Sequence, residues 1–193
     1  MKDERVATSR TLLERLRDTS DDSAWREFHA LYAPLLENFA LARGLGADDA
    51  EELRDACVEL AVRKLPDFEY DPARGSFKGW LHRIALGKVV DAQRRGGVRT
   101  AETRELADLA DPHPSPEEAW EQVWRREHFR FALREAESRL SERTQQAFSL
   151  LLAGHSVELV CERMGMNANQ VYKAKARALQ SVREVLVKLG FEA

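Results

Sequence analysis

Apolar side chains recur at intervals of three and four residues along almost the whole chain. In one such stretch, Trp25, Phe28, Leu31, Leu35 and Phe39 all fall on the same side of an α-helix. The alternation of apolar and polar residues that marks a β-strand between turn residues does not occur. The pattern therefore predicts an all-α protein.

Capping residues and glycines divide this pattern into eight predicted helices. They cover about residues 9–19, 22–42, 48–65, 77–95, 117–139, 141–153, 156–164 and 167–189. Gly154 and Gly165 are predicted to end helices, because glycine readily takes the left-handed conformation found there. The predicted N-caps are Ser76, Ser141, Ser156 and Asn167. The side-chain oxygen of each can accept a hydrogen bond from a backbone N–H in the first turn of the helix that follows.

A segment poor in apolar residues separates the helices into two groups. Between residues 99 and 116 the helical stripe fades, and three prolines lie among an excess of acidic residues. This composition is typical of an interdomain linker. We therefore predict two small helical domains, at residues 1–98 and 117–193, joined by a linker at residues 99–116.

Composition narrows the class of protein further. The chain of 193 residues is 44% hydrophobic and 33% charged and has no long apolar segment near its start, which predicts a soluble, cytoplasmic protein. Cys57 and Cys161 lie in distant helical patterns, which favours buried thiols over a disulfide. The five histidines lack the spacing of a metal site, and no catalytic constellation occurs, so we predict no cofactor and no enzymatic activity.

The most specific local signal for function is a pair of short helices in the last part of the chain. The segment MGMN joins them at residues 164–167, and their length and punctuation are typical of a helix-turn-helix. Their predicted shared core consists of Val157, Val160, Cys161, Met164, Val171, Ala174, Ala178, Leu179 and Val182. The candidate DNA-reading residues are Asn167 at the start of the second helix and the outward-facing Asn169, Gln170, Lys173 and Arg177.

These side chains have the chemistry that reading the major groove requires. Amides can pair with adenine edges, and cations can bind guanine or phosphate. An ordinary helical hairpin with a solvated basic face would have the same spacing. Both interpretations are open at this point.

The fourth predicted helix is rich in basic residues and aromatic rings. Phe77, Trp80 and Leu81 are expected to pack inwards, while Lys78, His82 and Arg83 are expected to point outwards. Cations and flat rings suit single-stranded or melting DNA, although a solvated basic face is the simpler alternative. The candidate residues for binding this DNA are Lys78, Trp80, His82, Arg83, Lys88, Arg94 and Arg95.

The third predicted helix is acidic by contrast. Such a surface can attract a basic partner helix, or it can be only a soluble face. The candidate residues for this partner contact are Asp49, Glu52, Leu53, Asp55, Ala56 and Glu59.

Three separate segments together resemble the extracytoplasmic-function (ECF) RNA polymerase sigma factors of the sigma-70 family. FEYDPARGSFKGWLHRIALGKVVDAQRR, at residues 68–95, is similar to their region 2 signature and promoter-melting helix. DAEELRDACVEL, at residues 49–60, is similar to the core-binding helix that precedes it. LSERTQQAFSLLLAGHSVELVCERMGMNANQVYKAKARAL, at residues 140–179, is similar to region 4.

The resemblance implies a transcription initiation factor with divided tasks. The acidic helix would bind the clamp helices in the largest subunit of core RNA polymerase. The basic helix and the loop before it would recognise and open the minus-10 element of promoter DNA, and the helix-turn-helix would read minus-35 DNA. An anti-sigma factor is the further partner that the resemblance implies.

Two departures from the family pattern leave a second interpretation open. Asp55, Ala56, Cys57 and Val58 stand where the family often has Gln-Glu-Val-Phe, and Leu86-Gly87 stands where Arg-Asn is common. A sigma-like decoy that binds an anti-sigma factor or polymerase without recognising promoters would explain both. A plain helix-turn-helix repressor is a third interpretation, but it leaves the first domain unexplained.

Overall fold

The computed structural model describes residues 10–66, 76–96 and 114–191. The prediction of an all-α protein is confirmed, because these residues form eight helices and no strand. No helix in these ranges is long and apolar enough to cross a membrane. The helices are α1 (Arg10–Arg15), α2 (Asp22–Ala42), α3 (Ala47–Lys64), α4 (Phe77–Gly96), α5 (Pro116–Glu137), α6 (Glu142–Leu152), α7 (Val157–Met164) and α8 (Ala168–Lys188).

The chain divides into two compact units, Met1–Glu127 and His128–Ala193. The division falls inside α5, so the first half of this helix belongs to the first unit and the second half to the second. Most of the linker predicted at residues 99–116 lies outside the described residues. The domain limits drawn from the sequence stay a prediction.

The core of the first unit is built on α2. Asp21 caps this helix, because its carboxylate accepts a hydrogen bond of 2.8 Å from the backbone N–H of Ala24. Phe28, Tyr32 and Phe39 are completely buried on one side of α2. The ring of Tyr32 lies 5.3 Å from that of Phe77, the first residue of α4, in an edge-to-face contact. These rings fix α4 against α2.

Helix α3 packs against both α2 and α4 through a narrow apolar stripe. Ala50, Leu53, Cys57 and Ala61 follow at three- and four-residue intervals and are all buried. Burial raises the pKa of the Cys57 thiol to about 12, because the surrounding apolar groups cannot solvate a thiolate. Cys57 therefore acts as a small apolar packing residue.

The second unit contains the predicted helix-turn-helix. Ala147 on α6, Val160 on α7 and Val171 and Ala174 on α8 form its buried core. Met164 and Met166, on either side of the turn, pack partly buried against this cluster. The prediction that Leu179 belongs to the core is wrong, since 48% of its surface is exposed.

The helix starts and ends in the second unit lie close to their predicted positions. Ser156 caps α7 by accepting a hydrogen bond of 3.3 Å from the N–H of Leu159. Gly165 ends α7 in the left-handed conformation, with φ of 59°. Both predictions are therefore confirmed. Ser141 precedes α6, but its hydroxyl bonds to that of Thr144 instead of a backbone N–H.

Candidate nucleic-acid and partner interfaces

The start of α8 presents the predicted DNA-reading residues to solvent. Asn169, Lys173 and Arg177 are exposed and follow one another at intervals of four residues, so they lie along one side of the helix. Val171, Ala174 and Ala178 occupy the opposite side and are buried. The row of polar and cationic side chains is therefore held by a packed apolar face.

A capping box holds the first turn of α8. The side-chain oxygen of Asn167 accepts a hydrogen bond of 2.9 Å from the N–H of Gln170, and the side-chain oxygen of Gln170 accepts one of 2.9 Å from the N–H of Asn167. Both residues were predicted to contact DNA. One end of each side chain is already committed to the cap, which leaves the amide nitrogens for any contact outside the chain.

Arg143 of α6 stabilises the turn of the helix-turn-helix, although sequence analysis did not single it out. Its guanidinium donates hydrogen bonds of 3.3 Å to the carbonyl of Met164 and 3.1 Å to that of Gly165. These carbonyls lie at the end of α7, where a helix leaves acceptors without a partner of its own. Only the tertiary fold brings α6 to this turn, so no local signal points to Arg143.

Helix α4, the candidate minus-10 surface, begins at the predicted cap. The N–H of Gly79 donates a hydrogen bond of 3.1 Å to the hydroxyl of Ser76, which confirms this residue as the N-cap. Arg83 and Arg94 are exposed, Lys88 is half-buried, and Trp80 is half-buried with its ring 5.4 Å from that of Phe77. The loop before α4, at residues 67–75, lies outside the described residues.

The expectation that Lys78 and His82 point outwards is wrong. The Lys78 side chain is only 13% exposed, and its ammonium lies 2.5 Å from the carboxylate of Glu121 on α5. The ring of His82 stacks on that of Trp120, with 5.0 Å between the ring centres. Burial lowers the pKa of His82, against the opposing effect of the nearby Glu117 and Glu121 carboxylates.

The acidic face predicted on α3 is present. Asp49, Glu52, Asp55 and Glu59 are exposed, and Ala56 is half-buried beside them. Leu53 is the exception, because only 4% of its surface is exposed and it packs in the core. Leu53 supports this face without lying on it.

Two arginines engage part of the acidic face from within the chain. Arg54 pairs with Glu37 of α2, with Glu51 and with Asp55, at distances of 2.8 to 3.0 Å. The hydrogen bond from Arg54 holds the pKa of Asp55 below its usual value. Arg95 of α4 lies 2.8 Å from Glu52, and this contact raises the pKa of Arg95. Both Arg95 and Glu52 are well exposed, so solvent screens their pairing.

The chain is similar to known proteins, in one case over nearly its whole length. Residues 28–98 match the family described as sigma-70 region 2. ECF RNA polymerase sigma factor RpoE of Cereibacter sphaeroides is 28% identical over 110 residues, which span 57% of this chain and 59% of that protein. ECF RNA polymerase sigma factor SigE of Mycolicibacterium smegmatis is 26% identical over 190 residues, which span 96% of this chain and 70% of that protein.

The chain is similar to ECF RNA polymerase sigma factors, and its residues 28–98 match the sigma-70 region 2 family. The resemblance inferred from its sequence is therefore confirmed. The region 2 match begins at Phe28 in α2 and includes the whole of α3 and α4. Among solved structures, the chain is similar to the one titled "Structure of CnrH in complex with the cytosolic domain of CnrY", with 18% identity, 93% of this chain and 97% of that chain covered, and a TM-score of 0.39.

Proposed function

We propose that this protein directs RNA polymerase to specific promoters and initiates transcription there. One observation carries the proposal: a single chain combines a sigma-70 region 2 domain, at residues 28–98, with a helix-turn-helix at α7 and α8. A factor of this kind acts by binding and positioning, without catalysing a reaction of its own. Its partners are core RNA polymerase, promoter DNA and an anti-sigma factor.

The exposed row on α8 supports a role in minus-35 recognition. Recognition helices read base edges with side chains near their N-terminal end, where Asn169, Gln170 and Lys173 lie. Val171 and Ala174 on the opposite side of α8 pack in the core, so the polar row can enter a groove without exposing them. Asn167 contributes mainly through the cap that holds this row in place.

The two faces of the first unit suit the remaining tasks. Asp49, Glu52, Asp55 and Glu59 on α3 offer an acidic surface to the clamp helices of the largest polymerase subunit. Arg83 and Arg94 on α4 offer exposed cations to the minus-10 strand. Because α3 and α4 pack against each other, both surfaces belong to one packed group of helices.

The direct test is transcription by core polymerase with and without the full-length protein. We expect start sites that appear only when the protein is present. Lys173→Ala should weaken minus-35 binding by about 1–3 kcal/mol. Lys175→Ala is the matched control, because Lys175 is also exposed but lies on another side of α8. Gln170→Ala is less informative, since it also breaks the capping box.

Two results would contradict the proposal. Initiation by core polymerase that is indifferent to the protein would remove the promoter-directing role. A footprint on polymerase without protection of minus-35 and minus-10 DNA would favour the decoy instead.

A further inference from the structure

The first half of α5 covers part of the α4 surface proposed to bind DNA. Trp120 and Trp124 are 2% and 0% exposed. Trp120 lies between Phe39 of α2 and His82 of α4, each 5.0 Å away between ring centres. Trp124 contacts Tyr32 of α2 at 5.8 Å. We call residues 114–127 the cover segment; they belong to the first unit, as do α2 and α4.

The cover segment makes contacts of the kind that melted DNA would make. The Glu121 carboxylate binds the ammonium of Lys78, as a phosphate oxygen would. The indole of Trp120 stacks on His82 at an interplanar angle of 26°, as an unpaired base would. The Lys78 ammonium also lies 5.4 Å from the centre of the Trp124 ring. These contacts occupy the Lys78 ammonium and one face of the His82 ring, so DNA can make the same contacts only by displacing the cover segment.

Polar atoms at the same interface are poorly satisfied. Arg43 Nε, His82 Nε2 and Trp120 Nε1 are buried and have no hydrogen-bond partner among the described residues. Such atoms regain hydrogen bonds to water when the surfaces separate, which offsets part of the apolar attraction. Arg43 also donates a hydrogen bond of 2.8 Å to the carbonyl of Pro114, at the start of the cover segment. The cover segment is therefore held by apolar burial but is open to displacement.

We infer that the cover segment is an autoinhibitory element that competes with the minus-10 strand for Lys78 and His82. The inference rests on the proposed function and adds a step to it: the cover segment must leave α4 before these two side chains can bind DNA. Arg83 and Arg94 lie outside the covered area and are available for a first contact.

A matched pair of charge-neutralising variants in the full-length protein tests this competition. Glu121→Gln removes the carboxylate opposite Lys78. Glu118→Gln makes the same charge change three residues earlier, where the side chain accepts a hydrogen bond from the Ser115 N–H and glutamine can replace it. The probe is a fluorescent single-stranded DNA of mixed sequence at fixed salt, with binding followed by anisotropy.

We expect Glu121→Gln to bind this DNA at least fivefold more tightly than Glu118→Gln. Adding Lys78→Ala to Glu121→Gln should abolish the gain, because the gain requires the released ammonium. Equal binding by the two single variants, including no detectable binding by either, overturns the inference. A gain that survives Lys78→Ala overturns it as well, since it would then reflect net charge alone.

Hydrogen exchange supplies a second measurement that does not depend on a variant. Backbone amides at residues 117–127 should exchange faster when the wild-type protein, bound to core polymerase, occupies an open promoter. Unchanged protection would show that the cover segment stays in place and would overturn the inference. Transcription by the same wild-type holoenzyme tests the proposed function separately, so the two ideas can fail independently.

Discussion

Helices α4 and α8 carry the two sets of candidate DNA contacts, yet they present them differently. On α8 the polar residues Asn169, Lys173 and Arg177 are exposed, and the opposite side is packed. On α4 only part of the basic set is exposed, because the cover segment lies over Lys78 and His82. Under the proposed function, the α8 residues can contact minus-35 DNA without any rearrangement, whereas binding of minus-10 DNA by Lys78 and His82 requires the cover segment to leave α4 first.

The largest expected effect is a difference in stability between variants of one apolar residue on each of the two helices. Phe77 of α4 is 1% exposed, whereas Leu179 of α8 is 48% exposed. Phe77→Ala should lower the free energy of unfolding of the first unit by about 3–5 kcal/mol. Leu179→Ala should change that of the second unit by less than about 0.5 kcal/mol.

Denaturant titration can measure this contrast unit by unit. Tryptophan emission reports the first unit alone, since all four tryptophans lie before residue 128. Circular dichroism reports both units. A large loss of stability for Leu179→Ala would show that Leu179 packs in the core of the second unit, contrary to its 48% exposure.

A smaller effect tests how firmly the α8 row is held. Asn167→Ala removes the capping box and should destabilise the second unit by about 1 kcal/mol. Asn169→Ala, two residues later and outside the cap, should leave stability within a few tenths of a kcal/mol. Hydrogen exchange of the α8 backbone amides measures the change in helix stability in both variants. Equal losses would mean that the capping box does not set the stability of this helix.

The smallest expected effect is a pH dependence confined to the α4 side. The pKa of His82 is lowered in the folded protein, so the unfolded chain binds a proton more readily. Stability from neutral His82 is therefore present at pH values above its ordinary pKa of 6.5 and is lost as the pH falls below it. The charged groups facing His82 are Glu117, Glu121 and Lys78.

His82→Gln provides the control for this pH dependence. Between pH 7.5 and pH 5.5 the wild-type first unit should lose stability relative to this variant, as measured by denaturant titration with tryptophan emission. If the stability of the wild type and that of the variant changed in parallel with pH, His82 would have the same proton affinity in the folded and the unfolded protein.

Prediction from the sequence succeeded for features that depend on a single helix and its flanking residues. The start of α2 at Asp22, the cap at Asn167 and the stop at Gly165 depend on backbone groups a few residues away. The exposure of Lys173 follows from the same local periodicity. Local hydrogen bonds and spacing are written in consecutive residues, so they can be inferred without the fold.

Prediction failed where a distant segment decides exposure. Lys78 has the spacing of an outward-facing residue, but Glu121 lies more than forty positions along the chain. Leu179 has the spacing of a core residue, but 48% of its surface is exposed. Arg143 is an ordinary surface arginine by sequence, and only the packing of α6 brings it to the turn between α7 and α8.

The sequence by itself determined the helices, the caps at Ser76, Ser156 and Asn167, and the resemblance to sigma factors, because these depend on local propensity and on motifs of adjacent residues. Tertiary structure alone decided which charged groups are available, because the availability of Lys78 depends on what packs over it. It also placed the end of the first unit inside α5, where Trp120 and Trp124 are buried against α2 and α4. Burial is a property of a three-dimensional neighbourhood, which periodicity along one helix does not specify.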